Sequence, residues 1–187
     1  QTPEKRAELR EAIAKMEAEG KLKTAWAAGS VMEISAHNIL GATRLAMARS
    51  IAKLAVGHIA PLFAAAGTEG ELFGRTDART FLVLVDGLPL RPFAWAHESV
   101  KGGDGKSLAI ALASIVAKVE RDRMLVEMHA RYPQYGFATH KGYGTPEHVE
   151  ALRAHGPCAE HRDLFVRTIL AGDPPPPEAT DGEVSFE

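Results

Sequence analysis

Apolar residues recur along the chain in three rhythms, each predicting a different element. From Leu108, the positions Leu112, Ile115 and Val119 follow at intervals of four, three and four, with Ala109, Ala111, Ala113, Ser114 and Ala117 among them. That pattern predicts a slim helix able to lie close against a sheet. Residues 39–66 carry Leu45, Ala48, Ile51, Ala52 and Ala55 at helical spacing and predict a second long helical region, with Gly57 and Pro61 as places where it can break. Thr80-Phe-Leu-Val-Leu-Val85 is instead a continuous apolar, β-branched run that ends at Asp86-Gly87. It predicts a strand buried on both faces with a carboxylate at its exit.

Local signals set the boundaries of the remaining elements. Thr2 followed by Pro3 reads as an N-cap with proline at the first helical position, and the polar segment from Glu4 to Glu19 stops at Gly20. Ser30 and Glu33 have the spacing of a capping box. Between these two helical segments, Thr24 to Ser30 is expected as a short strand around Trp26, although its alanines are poor strand formers. Residues 67–79 read as a loop, and Phe93 to Val100 as a further strand leading into Lys101-Gly-Gly-Asp-Gly-Lys-Ser107. Beyond the long helix, short helices alternate with Gly-rich and Pro-rich turns as far as Leu170, and the acidic stretch around Pro174 to Pro177 is too polar to pack. The expectation is one α/β domain over residues 1–171 with a disordered acidic tail over 172–187.

Composition agrees with one folded domain: 187 residues, 45% hydrophobic and 25% charged. The single cysteine, Cys158, permits no intrachain disulfide, and nothing resembles a signal peptide or an apolar stretch of the ~20 residues that a membrane span needs. A soluble, monomeric, cytoplasmic protein is expected. The net charge of -2 is set by the end of the chain, where residues 173–187 hold five of the 24 acidic residues and no Lys or Arg; the other 19 face 22 basic residues. From Lys101 to Lys141 seven basic residues outnumber four acidic ones, a bias suited to phosphates or simply to a solvated mixed surface.

Two carboxylates stand out. Asp86 at a strand end and Asp104 in a glycine-rich turn belong to separate segments that a sheet edge can bring together, where hard oxygen ligands suit Mg²⁺ or Mn²⁺. A strand-end Asp is also a common turn former. The neighbouring Gly103-Asp-Gly-Lys-Ser107 is not a P-loop, because the position that requires its first glycine is Val100. His148, His155, Cys158 and His161 lie close in sequence without a zinc-binding pattern, so hydrogen-bonded or exposed histidines are the simpler account. Tyr132-Pro-Gln-Tyr-Gly-Phe137 and His140-Lys-Gly-Tyr-Gly-Thr145 combine tyrosines, glycines and basic residues, which serves either nucleic-acid stacking or a packed turn.

Taken in order, these segments resemble one family. Ser107-Leu-Ala-Ile-Ala-Leu-Ala-Ser-Ile-Val-Ala-Lys-Val-Glu-Arg-Asp-Arg123, the two tyrosine segments, Gly156-Pro157 and His161-Arg162 resemble ribonuclease HII, and Asn38-Ile-Leu-Gly-Ala-Thr43 and Val85-Asp-Gly87 extend the resemblance upstream, over roughly Thr2 to Leu170. The resemblance implies a ribonuclease H-like mixed sheet flanked by helices, with a helical C-terminal region. It implies cleavage of the RNA strand of RNA/DNA hybrids, including a single ribonucleotide in duplex DNA, by two divalent ions, leaving 5′-phosphate and 3′-hydroxyl ends. At matching positions it makes Asp86 and Asp104 metal-binding and catalytic, Tyr143 the ring that stacks near the RNA-to-DNA junction, and Lys118, Arg121 and Lys141 backbone contacts. A non-catalytic hybrid-binding protein is the alternative.

The chain departs from the family's pattern in places. Gly105 stands where many members have Ala, and the loop over 67–79 is longer than usual. The family's opening Asp-Glu-Ala-Gly-Arg-Gly strand and its later Asp-Ser-Lys do not occur, and Gln1-Thr-Pro resembles the residues that follow Asp-Ser-Lys. The expectation is therefore a chain lacking the first strands. Residues 1–187 by themselves are then expected to be inactive and marginally folded, with the strand ending at Val85 at an unpaired edge, where each buried unpaired backbone group costs roughly 1–3 kcal/mol.

Overall fold

The computed structural model describes residues 2–58, 82–93 and 95–171. It divides the chain into two compact units, Gln1–Gly29 with Thr43–Val116, and Ser30–Ala42 with Ala117–Glu187. The loop expected over 67–79, the helical end at 59–66 with Pro61, and the tail over 172–187 lie outside the described residues.

The first unit opens with α1 (Pro3–Ala18). Its cap is the expected one: the Lys5 amide donates to Thr2 Oγ1 at 3.3 Å and Pro3 occupies the first turn, where no intrahelical N–H is needed. Ile13 is the fully buried residue of this helix. The next segment corrects the sequence reading, since Thr24 to Ser30 is not a strand. Its polar groups are satisfied by side chains instead of a ladder. The Thr24 amide and hydroxyl donate to Glu17 Oε1 at 2.9 and 2.6 Å, Lys53 Nζ donates to the Trp26 carbonyl at 2.7 Å, and Arg49 Nη1 reaches the Ala28 carbonyl at 3.4 Å. Long side chains thus take the carbonyls that a neighbouring strand would use, in a stretch whose alanines give a sheet little to pack.

Lys53 and Arg49 belong to α2 (Val31–His58), which starts in the second unit and is broken at Asn38 (φ 57°, ψ 175°). Gly57 lies within the helix and Pro61 outside the described residues; the break falls where an Asn side chain competes with the helix: Asn38 Oδ1 accepts from the Gly41 amide at 3.0 Å and caps the helical turns that follow. At the start of α2 the capping box is complete. Glu33 Oε2 accepts from the Ser30 amide at 2.9 Å and Ser30 Oγ accepts from the Glu33 amide at 3.2 Å.

The sheet of the described residues is one parallel pair, β1 (Leu84–Asp86) and β2 (Glu98–Val100), with Leu84 opposite Glu98, Val85 opposite Ser99 and Asp86 opposite Val100. The ladder extends by one bond at each end, Glu98 N to Val83 O at 2.9 Å and Gly87 N to Val100 O at 3.1 Å. Of the strand expected over 80–85, residues 80 and 81 lie outside the described residues, and the described part is not buried on both faces. Val85 is buried, but Leu82 is 63% exposed and Asp86 is exposed. After β2 a left-handed Gly102 (φ 63°) leads into a 3-10 turn at Gly103–Gly105 and then into α3 (Leu108–Arg131). Leu108, the first member of the apolar repeat, is 71% exposed; Ile110, Ile115 and Val116 are the buried residues in that part of the helix.

The second unit holds the remainder of α3, a 3-10 turn at Pro133–Tyr135, α4 (Phe137–His140), α5 (Pro146–His155) and α6 (Asp163–Leu170). Its core is Tyr135, Phe137, Leu152, Val166 and Ile169, with Met128, Tyr132, Val149 and Phe165 packed around them. Tyr135 ties this core together, its hydroxyl donating to the Gly156 carbonyl at 2.7 Å.

Candidate functional site

Asp86 meets the turn that carries Asp104 at the end of the parallel pair, and its contact there is with a glycine. Asp86 Oδ1 accepts a 2.7 Å hydrogen bond from the Gly103 amide, a charge-assisted bond that orients the carboxylate while the residue stays exposed. A Cβ on Gly103 would lie 2.5 Å from Ile110 Cδ1 and 3.2 Å from Asp86 Oδ1, so any larger residue would have to push these side-chain ends aside. Asp104 is the next residue of that turn and is exposed. Lys106 closes the other side, its Nζ donating to the Lys101 carbonyl at 2.6 Å. Both carboxylates are exposed, and that of Asp86 is held in place by the Gly103 amide. Among the described residues no group of three or more His, Cys, Asp or Glu is placed to hold a metal ion.

The other predicted site residues lie in the second unit and gather around the turn His140–Thr145. Tyr143 is 48% exposed, unlike Tyr135, which is core. The packed-turn reading thus holds for Tyr135, while the ring of Tyr143 is left open to solvent. Arg121 crosses from α3 to this turn: its Nη2 donates to the Lys141 carbonyl at 3.0 Å and its guanidinium sits 5.1 Å from the Tyr143 ring centroid, a cation–π contact. Lys141 takes up left-handed backbone (φ 50°) and its ammonium donates to the Ala138 carbonyl. Lys118 is exposed one helical turn before Arg121, at the spacing that puts both on one face of α3.

Behind this turn stands a group of histidines that sequence reasoning left unassigned. The rings of His140 and His148 stack with centroids 4.3 Å apart, and His148 is 1% exposed. Their partners fix the tautomers. His161 Nδ1 accepts from the Cys158 amide at 3.0 Å, so in the neutral ring the proton is on Nε2, which donates to His148 Nε2 at 3.1 Å. His148 therefore carries its own proton on Nδ1 and donates to the Tyr143 carbonyl at 2.8 Å. His140 donates from Nε2 to the Tyr135 carbonyl and accepts the Gly142 amide on Nδ1 at 3.2 Å. Burial pushes His148 down from 6.5 to about 4, helped by His140 and His161 beside it and opposed by its bond to the Tyr143 carbonyl. Burial also lowers His161. The neutral forms that the hydrogen bonds require are thus the forms that burial favours.

Comparison with known proteins decides the family. The family model for ribonuclease HII matches residues 2–170. The chain belongs to the ribonuclease HII family. The ribonuclease HII of Burkholderia thailandensis is 45% identical over 147 residues, which cover 79% of this chain and 58% of that protein. The ribonuclease HII of Bordetella pertussis is 43% identical over 169 residues, covering 90% of this chain and 73% of that protein. The chain thus spans between about half and three-quarters of the length of these relatives. All six predicted site residues and the three histidines lie inside the span matched by ribonuclease HII. The signal for the histidines was present in the sequence only as spacing: His140 two residues before Gly142, and His148 and His161 on either side of Gly156-Pro157. Which ring nitrogens meet depends on three separate segments and is not encoded locally.

Proposed function

We propose that the chain contributes to a ribonuclease H, an endonuclease that hydrolyses the RNA strand of RNA/DNA hybrids and acts at single ribonucleotides in duplex DNA, with a ribonuclease H-like fold around the β1–β2 pair. The observation that carries this reading is the Asp86 carboxylate held on the Gly103 amide beside Asp104, in a chain of the ribonuclease HII family. In it, Asp86 and Asp104 hold divalent cations, Mg²⁺ or Mn²⁺, through carboxylate oxygens. Bound there, such ions supply Lewis acidity and charge stabilisation for in-line displacement at a phosphate, giving 5′-phosphate and 3′-hydroxyl products without a covalent enzyme intermediate. The Gly103 amide keeps Asp86 aimed, so that little reorganisation accompanies metal and substrate binding.

The second unit is read as the part that positions nucleic acid. Tyr143 offers an exposed ring for stacking, Arg121 holds that ring and the turn, and Lys118 meets backbone phosphate. Lys141 can join them by exchanging its bond to Ala138 for a phosphate oxygen. Membrane association has no support among the described helices, none of which is long and apolar enough to cross a bilayer. A non-catalytic hybrid-binding role is the second reading, favoured by the lack of a metal-holding group of three or more acidic, His or Cys residues among those described.

Cleavage of a hybrid and of a duplex with one ribonucleotide separates the two readings. It would be assayed with the 187-residue chain and with a chimera carrying the parts of the Bordetella pertussis relative outside the matched span. Metal-dependent cutting by either protein that leaves 5′-phosphate and is lost in Asp86→Asn supports the nuclease. Tight hybrid binding with no cutting by either supports the alternative.

A further inference from the structure

The reach of the histidine group extends beyond core packing, because both main-chain groups of Tyr143 are spoken for. Its amide donates to the His140 carbonyl at 2.9 Å and its carbonyl accepts from His148 Nδ1 at 2.8 Å. The turn needs such support. Lys141 and Gly142 are consecutive left-handed residues, at φ 50° and 77°, and Lys at such an angle carries a steric cost that surrounding bonds must offset. Apart from the Arg121 guanidinium 5.1 Å from its ring centroid, a side chain as exposed as Tyr143 has little packing to fix its direction, so its backbone shares that task.

We propose that His148 is a positioning residue for Tyr143, its Nδ1–H holding the Tyr143 carbonyl and its proton kept on that nitrogen by His161. The proposal rests on the reading of Tyr143 as a nucleic-acid contact. The polarity runs one way through the group: Cys158 N–H to His161 Nδ1, His161 Nε2–H to His148 Nε2, His148 Nδ1–H to the Tyr143 carbonyl. A His161 of the other tautomer could not accept the Cys158 amide; protonating His148 sets two N–H groups against each other across the 3.1 Å contact, and protonating His161 does the same at its Nδ1 against the Cys158 amide. The titratable groups facing the pair are His140, stacked on His148, the Tyr135 ring with its centroid 4.7 Å from that of His161, the Cys158 thiol 3.1 Å from His161 Nδ1, and Glu160 beside His161. The ring faces of His148 are covered by Phe137 and Phe165 as well as His140, so the pair is held dry.

Two isosteric substitutions in the 187-residue chain isolate the nitrogen that matters. In His148→Asn the amide NH₂ can take the place of Nδ1 and keep the Tyr143 carbonyl, whereas in His148→Gln it reaches toward the place of Nε2 and leaves that carbonyl unpartnered. NMR of the Tyr143 ring and binding of a fluorescein-labelled RNA/DNA hybrid are the readouts. The Asn variant is expected to keep the ring shifts and to bind within about twofold of the parent. The Gln variant is expected to lose the ring's Arg121-shifted signals and to bind about five- to tenfold more weakly, part of what a stacked ring contributes. Imidazole nitrogen shifts of the unsubstituted chain give a test that no misfolded variant can blur: they should report His148 as the Nδ1–H tautomer and His161 as Nε2–H. The opposite tautomer at His148, or equal ring shifts in the Asn and Gln variants, would overturn the proposal. Unchanged hybrid binding by Tyr143→Ala would instead sink the reading of Tyr143 on which it rests, and the substrate role of His148 with it.

Discussion

Asp86 and Tyr143 are the residues through which the two candidate surfaces would meet a substrate, and both are exposed, yet they are held in different ways. Asp86 ends a three-residue strand and is oriented by one amide from a glycine turn. Tyr143 stands on a turn braced by Arg121, His140 and His148, with a buried aromatic core behind it. The difference follows from what each group must do. A carboxylate that takes a cation needs its charge in water and a fixed direction, which a single charge-assisted bond supplies. A ring that stacks has no strong bond to its partner and depends on a prearranged backbone. The first arrangement is fragile in its scaffold and the second in its hydrogen-bond polarity, and substitutions can test each weakness separately.

The largest effect is expected at the carboxylates. Asp86→Asn or Asp104→Asn should lower metal-dependent cleavage by the chimera at least about a hundredfold, with thermal unfolding nearly unchanged, since charge is removed and little packing is lost. Gly103→Ala attacks the scaffold instead. The added methyl would meet Ile110 Cδ1 at 2.5 Å, a side-chain end that can shift, so chemical denaturation of the 187-residue chain should show a loss of about 1 kcal/mol, the low end for overpacking. At the second surface the corresponding lever is pH. His148 is lowered from 6.5 in the unfolded chain to about 4 in the fold, so the unfolded state binds the extra proton between these values. Its stabilising contribution is fully present above pH 6.5 and is lost as pH falls toward 4, on the order of 1–3 kcal/mol. Urea midpoints measured across that range should fall with acid in the parent and fall less in His148→Asn. Tyr143→Ala should weaken hybrid binding by ~1–3 kcal/mol and Tyr143→Phe by less, as titrations with the labelled hybrid would show. The smallest change belongs to Lys118→Ala, which should reduce the salt dependence of hybrid binding by about one phosphate's worth of counterion release.

The parts of this fold that were legible in the sequence are those decided by neighbours in the chain. Thr2-Pro3, the Ser30/Glu33 box, the long helix after Ser107 and the strand ending at Val100 all follow rules that act within a few residues. The departures have both long-range and local causes. Thr24 to Ser30 was expected as a strand, but Lys53 and Arg49 from a helix more than twenty residues away take its carbonyls. The break in α2 came at Asn38, whose side-chain cap outweighed helical periodicity, and the apolar run before Asp86 left Leu82 largely exposed. For the candidate site, residue types and glycine spacing pointed to Asp86 and Asp104, and the family resemblance pointed to Tyr143. They could not indicate that Gly103 is the residue that orients Asp86, nor that His161 reaches Tyr143 through His148, because those contacts join segments that only the fold brings together.

Paramagnetic line broadening by Mn²⁺ in the 187-residue chain tests the central claim, that Asp86 and Asp104 form a cation-holding corner, without requiring turnover. At low Mn²⁺ the amide signals of Asp86, Gly103 and Asp104 should broaden before those of the tyrosine turn, excess Mg²⁺ should restore them by competition, and Asp86→Asn should abolish the selectivity. Broadening that spares these three residues, or that persists unchanged in Asp86→Asn, would contradict the account.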